Sequence, residues 1–183
     1  MRLRNIIILL VILLVVGGYF YYSSRPEPPP PKEPQPRLWS VEVEELQHMV
    51  IRLTHENMSQ EFVKGADRYW YFDDIQRSKI DDKRWGGGIP VLLRGPGMER
   101  VIAENATAEK IAEFGLAQPQ MEITLTMQNG DILHVKVGDS VPDGHAYYVQ
   151  SPYSNDVATV DRTWYEVIER LVTEPPYAPP TAD

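Results

Sequence analysis

The longest apolar stretch of the chain runs from Asn5 to Ser24, twenty residues without a formal charge. A helix rises about 1.5 Å per residue, so this stretch would span about 30 Å, the thickness of the hydrocarbon core of a bilayer. It is longer than the apolar region of a signal peptide, and it ends in the aromatic run Tyr19 to Tyr22 instead of small residues. The pattern therefore predicts one transmembrane anchor over residues 1–24, with a cleaved secretory signal as the alternative.

Basic residues flank this predicted anchor unevenly. Arg2 and Arg4 precede its uncharged stretch and Arg25 follows it, and basic residues favour the cytoplasmic side of a membrane. We therefore expect a single-pass protein of the inner or plasma membrane, with a cytoplasmic N-terminus and an extracytoplasmic domain.

Prolines divide the rest of the chain. Residues 25–37 contain seven prolines, and such a segment favours an extended polyproline II stalk because proline fixes φ and lacks a backbone donor. A ligand for a proline-binding domain is the alternative for this segment. The remaining residues are predicted to form one extracytoplasmic domain over 38–173 and a flexible proline-rich tail over 174–183.

Alternating apolar and polar residues predict an antiparallel sheet in this domain. The clearest case is residues 121–137, in which Asn129-Gly130 separates two alternating runs. A three-residue loop with a left-handed Gly130 would pair Leu125 with Leu133 and keep the apolar side chains on one face, whereas a two-residue loop would mix the faces. Further strands are predicted at residues 49–53, 61–63, 69–72, 99–103, 147–149 and 157–160.

Two helices complete the predicted domain. Thr107 is a suitable N-cap for a short helix over 108–114, which Gly115 would end. Residues 162–172 form an amphipathic pattern typical of a helix that closes a core. Glycines and Pro90 are expected to interrupt regular structure across residues 85–90. The fold class is therefore α+β: mainly antiparallel β-sheet with a short helix and a C-terminal amphipathic helix, preceded by one transmembrane helix.

The domain is strongly acidic. From residue 38 onward the chain has 24 Asp and Glu against 13 Lys and Arg, a net charge of −11. Such a surface repels phosphate backbones, so we expect no nucleic-acid partner. The absence of cysteine excludes disulfides, thiolate zinc sites and iron–sulfur clusters, and it is consistent with a bacterial envelope protein stabilised by core packing.

No motif predicts catalysis, a cofactor or a metal. The histidines do not follow a zinc-binding spacing, and we expect His134 on the solvated face of the hairpin beside Thr124. Neither glycine cluster has the residues of a phosphate-binding loop, and no nucleophile motif is present. The paired acids Asp73-Asp74 and Asp81-Asp82 have basic neighbours and are typical of a solvated charged surface.

Candidate interaction residues come from exposed aromatic and basic positions. Trp85 lies between a basic pair that includes Arg84 and three glycines, and aromatic residues beside arginine are common binding anchors. Tyr147 and Tyr148 are the further candidates, because with Trp85 they could provide stacking surfaces for a ligand.

The second half of the domain contains a series of short motifs: Phe114-Gly115-Leu116-Ala117-Gln118-Pro119, Asn129-Gly130-Asp131, Val137-Gly138-Asp139, Ala146-Tyr147-Tyr148-Val149 and the strand at 157–160. In these motifs it resembles the bacterial family of unknown function numbered 4340, and with the strands up to Tyr69-Trp70-Tyr71 the resemblance covers about residues 45–172. The resemblance implies a membrane-anchored envelope domain, in some members linked to gliding-type transport machinery, with no established activity.

These observations favour a non-enzymatic envelope protein whose domain binds another membrane or envelope protein, as an accessory subunit of a larger membrane complex. A module that binds a small ligand or a glycan through Trp85, Tyr147 and Tyr148 is the first alternative. A hydrolase that uses carboxylates in an unrecognised arrangement is the second.

Overall fold

The computed structural model describes residues 3–23, 36–85 and 89–178 of the chain. It divides into two compact units, residues 1–34 and residues 35–183. The predicted stalk lies outside the described residues except for positions 36 and 37, and so do residues 179–183 of the predicted tail.

The first unit contains one helix, α1, which spans Leu3–Ser23. The large apolar side chains described along it, from Ile7 to Tyr21, are exposed. Among the described residues, no helix has the length and apolar character needed to cross a membrane. The structure thus shows a helix where the sequence predicts a transmembrane anchor, and the membrane-spanning role itself stays a prediction.

The second unit is built on one antiparallel sheet of eight strands in the spatial order β3-β2-β1-β5-β6-β7-β8-β4. Every described pairing in it is antiparallel, which confirms the predicted α+β class. The strands are β1 (Leu46–Leu53), β2 (Met58–Lys64), β3 (Trp70–Phe72), β4 (Arg100–Ala103), β5 (Met121–Met127), β6 (Ile132–Ser140), β7 (Ala146–Gln150) and β8 (Val157–Asp161).

Four helices accompany the sheet: α2 (Asp82–Trp85), α3 (Ile89–Leu93), α4 (Ala108–Glu113) and α5 (Arg162–Thr173). Thr107 caps α4 as predicted, with its side-chain oxygen accepting from the backbone N–H of Lys110. Gly115 has a φ of 71° after the helix, the left-handed conformation that ends many helices.

The register predicted for the β5–β6 hairpin is confirmed. Leu125 pairs with Leu133, and Gly130 has a φ of 90° in the connecting loop. The apolar residues of both strands consequently share one face, because a shift by one residue would expose them all.

The main core lies on that face. Met49, Ile51, Phe62 and Leu125 are fully buried there, and α5 packs on it through a stripe that includes Ile168. On the opposite face, beside β7 and β8, a second cluster forms around the end of α4. That cluster contains Ala106, Phe114, Leu116 and Val157, with Ile102, Ala103, Ile111 and Tyr148 packed against it.

The expectation that residues 85–90 interrupt regular structure is wrong for Trp85, the last residue of α2, and for Ile89 and Pro90, which begin α3. Residues 86–88 of that segment lie outside the described residues. Pro90 is tolerated in the first turn of α3, where a backbone N–H has no helical partner. The indole nitrogens of Trp39 and Trp164 donate to the carbonyls of Leu93 and Leu92 at 3.1 and 3.0 Å, which satisfies acceptors at the end of the helix.

The start of the predicted tail takes part in the fold. The ring of Tyr177 stacks on that of Phe72, with 3.9 Å between centroids and 17° between planes. The backbone N–H of Ala178 donates to Lys79 at 3.0 Å, and Asp81 donates to Pro176 at 2.8 Å. Lys79 also forms a β-bridge with Tyr71 of β3. The segment around Lys79 therefore lies along the β3 edge of the sheet, and the tail lies along that segment.

Candidate functional site

A concave surface of the sheet unit lies around the turn between β2 and β3. Two adjoining cavities of about 570 and 590 Å³ share Gln47, Lys64, Gly65 and Ala66. We call them together the Lys64 groove. Its other lining residues are Glu44, Val63, Asp67, Arg68, Tyr71, Arg77 and Gln128.

A tight turn shapes the floor of the Lys64 groove. Gly65 donates its N–H to the carbonyl of Tyr69 at 2.8 Å, and Arg68 donates to Gly65 at 2.9 Å. Asp67 accepts from the hydroxyl of Tyr71 at 2.6 Å. This hydrogen bond is the main reason that the pKa of Asp67 lies below its ordinary value. The carboxylate therefore stays ionised and holds the turn against β3.

Side chains also fix the walls of the groove. The ammonium of Lys64 donates to the carbonyl of Glu44 at 2.9 Å, and the amide of Gln128 donates to the same carbonyl at 2.8 Å. Gln47 donates to the carbonyl of Lys64 at 2.9 Å. The groove is thus held by contacts between β1, β2 and the hairpin loop, while Arg68 is exposed at its rim.

A second feature adjoins the groove through Arg77, whose guanidinium lies 3.6 Å from Asp73 Oδ1. The other carboxylate oxygen of Asp73 is 3.1 Å from Nε2 of His48, and an oxygen of Glu61 is 3.7 Å from the same nitrogen. We call His48, Glu61 and Asp73 the His48 cluster. One imidazole and two carboxylates can exchange a proton, form an ion pair or bind a cation.

Arg84, predicted as an interaction residue, is used within the fold. Its guanidinium donates to the carbonyls of Glu174 and Pro175 at 2.9 and 3.2 Å, so it fastens the C-terminal segment. Trp85 is the last residue of α2, and its side chain lies outside the described ones.

Tyr147 and Tyr148 point to opposite faces of β7 and do not form a shared stacking surface. Tyr147 stacks on Tyr165 of α5, with 3.9 Å between ring centroids and 10° between planes. Burial raises the pKa of the Tyr147 phenol and of the Tyr165 phenol. Tyr148 packs on Phe114, 4.6 Å away, in the second core cluster.

Sequence reasoning did not bring together the residues of the groove or of the His48 cluster. His48 and Asp73 are separated by 25 positions, and no short motif joins them. One feature of the sequence does point to part of the cluster, namely the alternation of apolar and polar residues in β1 and β2. Once these strands are paired, the alternation assigns His48 and Glu61 to the outer face of the sheet. His134 does lie beside Thr124 as predicted, with its Nδ1 3.3 Å from the hydroxyl.

Comparisons with known proteins give one family match. Comparisons with curated proteins and with solved structures found no match to this chain. The matched segment, residues 93–170, runs from the end of α3 through most of α5. Of the residues that line the Lys64 groove it includes Gln128 alone, and it includes none of the His48 cluster. The predicted resemblance is thereby confirmed over residues 93–170, which match the family described as Domain of unknown function (DUF4340).

Proposed function

We propose that this chain is a non-enzymatic envelope protein, anchored by its N-terminal helix, whose sheet unit binds another membrane or envelope protein through the Lys64 groove. The protein would act as an accessory subunit that holds its domain at a set distance from the bilayer. The observation that carries the proposal is the groove itself, a concave surface lined by charged and amide side chains that hydrogen bonds hold in place.

The charge of the groove suits a protein partner with an acidic segment. Its lining contains three basic residues, Lys64, Arg68 and Arg77, and two acidic ones, Glu44 and Asp67. The segment from residue 38 onward has a net charge of −11 by contrast. A local excess of basic side chains on an acidic domain guides a complementary partner to that position and repels it elsewhere.

The shape of the groove supports an extended segment of that partner. Hydrogen bonds from Lys64, Gln47 and Gln128 to backbone carbonyls keep its walls in place. A surface that is already ordered loses little conformational entropy on binding. The partner segment would supply carboxylates to Arg68 and backbone groups to the polar walls.

The proposed anchoring is supported by the sequence between Arg4 and Arg25, which has no formal charge, and by the helix that spans Leu3–Ser23. The proline-rich segment that follows would act as a spacer between membrane and domain.

The test is a pull-down of the full-length protein in mild detergent, with a C-terminal affinity tag and mass spectrometry of the proteins that co-purify. We expect a stoichiometric membrane or envelope protein with the wild type. The variant Arg68→Glu should retain about tenfold less of it, because a reversed charge at the rim opposes an acidic segment.

The matched control is Lys110→Glu, which makes the same change of charge at an exposed position on α4. Circular dichroism would establish that both variants are folded. Equal retention of the partner by Arg68→Glu and Lys110→Glu would refute the assignment to the groove, and a full-length protein that elutes alone would refute the role as a subunit.

A further inference from the structure

The His48 cluster is assembled by three neighbouring strands. His48 lies on β1 and Glu61 on β2, where the register pairs His48 with Val63, two residues along from Glu61. The backbone N–H of Asp73, directly after β3, donates to the carbonyl of Glu61 at 3.0 Å. All three side chains therefore share the outer face of the sheet, opposite the main core.

Each member of the cluster is fixed by an immediate neighbour in sequence that lies in the main core. Met49 follows His48, Phe62 follows Glu61, and Phe72 precedes Asp73. All three of these apolar residues are fully buried. Successive residues of a strand point to opposite faces. Burial of these neighbours consequently sets where the three polar side chains leave the backbone.

The donor atoms lie close enough together to share one metal ion. A tetrahedral site with bonds of 2.0–2.1 Å holds its donor atoms about 3.3 Å apart. Nε2 of His48 is 3.1 Å from the Asp73 oxygen and 3.7 Å from the Glu61 oxygen, and all three donor atoms lie within 4.8 Å of one another. The two carboxylates would rotate on binding so that the three distances approach that value.

The chemistry of the set favours a borderline divalent ion. Imidazole nitrogen and carboxylate oxygen are both ordinary zinc ligands, and three protein ligands leave a fourth position for water. The side chains are 24 % (His48), 49 % (Glu61) and 33 % (Asp73) exposed, so an ion can enter from solvent. Arg77 contacts the other oxygen of Asp73 and helps to orient that carboxylate.

We propose that His48, Glu61 and Asp73 form a binding site for a divalent transition-metal ion of the Zn²⁺ type, which joins β1, β2 and the end of β3. The site is separate from the protein-binding role proposed for the Lys64 groove. Its bound ion would neutralise two adjacent carboxylates and fasten together the strands from which the groove is built.

The test uses the full-length protein in detergent, purified without a polyhistidine tag, stripped with a chelator and dialysed. Isothermal titration with ZnCl₂ should show one equivalent bound, and a thermal melt should show a higher midpoint with zinc than without, because an ion that binds only the folded state stabilises it. The variants His48→Ala and Glu61→Gln/Asp73→Asn should bind zinc about tenfold or more weakly.

His134→Ala is the matched control, since His134 lies on the same outer face but outside the cluster and should leave zinc binding unchanged. The double amide variant keeps the shape of both carboxylates, so it tests the site even where His48→Ala fails to fold. No zinc binding by the wild type would overturn the proposal, and so would equal binding by the wild type and the folded amide variant.

Discussion

At the scale of single residues, His145 shows how a charged pair can be sensitive to pH. Its Nδ1 is hydrogen-bonded to Asp143, and its Nε2 lies 3.5 Å from the carboxylate of Glu99. The hydrogen bond with Asp143 is the main reason that the pKa of His145 is raised, and the charges of Asp143 and Glu99 add to the effect. The same bond is the main reason that the pKa of Asp143 is lowered.

We expect Asp143→Asn to lower the pKa of His145 towards about 6.5, the ordinary value of a histidine side chain. Because folding raises the pKa of His145 and lowers that of Asp143, the pair stabilises the fold fully between the ordinary pKa values of the two side chains. This contribution is lost as the pH rises through the folded pKa of His145, and also as it falls through the folded pKa of Asp143. The measurement is an NMR titration of the His145 ring. Asp131→Asn, in the β5–β6 loop, is the control and should not move that pKa; an unchanged value in Asp143→Asn would contradict the prediction.

Residues whose role is local could be predicted from the sequence. Thr107 and Gly115 act within one turn of α4, and His134 faces Thr124 across one hairpin. His48 and Asp73 meet only because β1, β2 and β3 pair in a particular register. Sequence spacing holds no information on a contact of that kind, which is why the candidate site was missed.

At the scale of elements, the segment around Tyr177 behaves as a cover for the edge of the sheet. Sheet edges expose unpaired backbone groups, and proteins commonly cover them. Here residues 78–80 lie beside β3, and the segment ending at Ala178 lies beside residues 79–81 in turn. The stack of Tyr177 on the buried Phe72 holds that cover in place.

We expect Tyr177→Ala to lower the free energy of unfolding by about 1–2 kcal/mol, because the aromatic stack and the apolar contact are both lost. Tyr177→Phe keeps the ring and should be close to the wild type. Urea denaturation followed by tryptophan fluorescence measures the difference. Equal losses in the two variants would show that the ring contact does not hold the cover.

Elements with a strong periodic pattern were predictable, and those that depend on distant partners were not. The β5–β6 register follows from alternation and one glycine. By contrast, α3 is short and contains Pro90, and its final carbonyls are satisfied by indoles of Trp39 and Trp164 that come from far along the chain. The same holds for the tail, where two prolines indicate the end of a helix but not the contact between Tyr177 and Phe72.

At the scale of the whole molecule, the chain combines a hydrophobic helix with an acidic sheet unit, and the two are separate compact units. The sheet unit has its own core and its own edge cover, which are the requirements for independent folding. The order of its strands could not be predicted, because alternation identifies strands but not their neighbours.

We expect a fragment of residues 35–183 to fold by itself and to stay in the soluble fraction of a cell lysate, whereas the full-length protein should pellet with membranes and resist extraction by alkaline carbonate. Both forms should give the same cooperative melt for the sheet unit in the same detergent. A full-length protein released by carbonate would contradict the anchor, and a fragment without a cooperative melt would contradict the independence of the sheet unit.

The strand order also has a consequence for biosynthesis. β1 pairs with β2 on one side and with β5 on the other, yet β3, β4 and α4 must all be translated before β5 leaves the ribosome. During that interval one edge of β1 has no native partner. β4 has no paired strand until β8 has been translated, which comes later still. Nascent chains on the same messenger RNA therefore expose unpaired strand edges to each other. Slow translation before Met121 would favour mispairing between these chains.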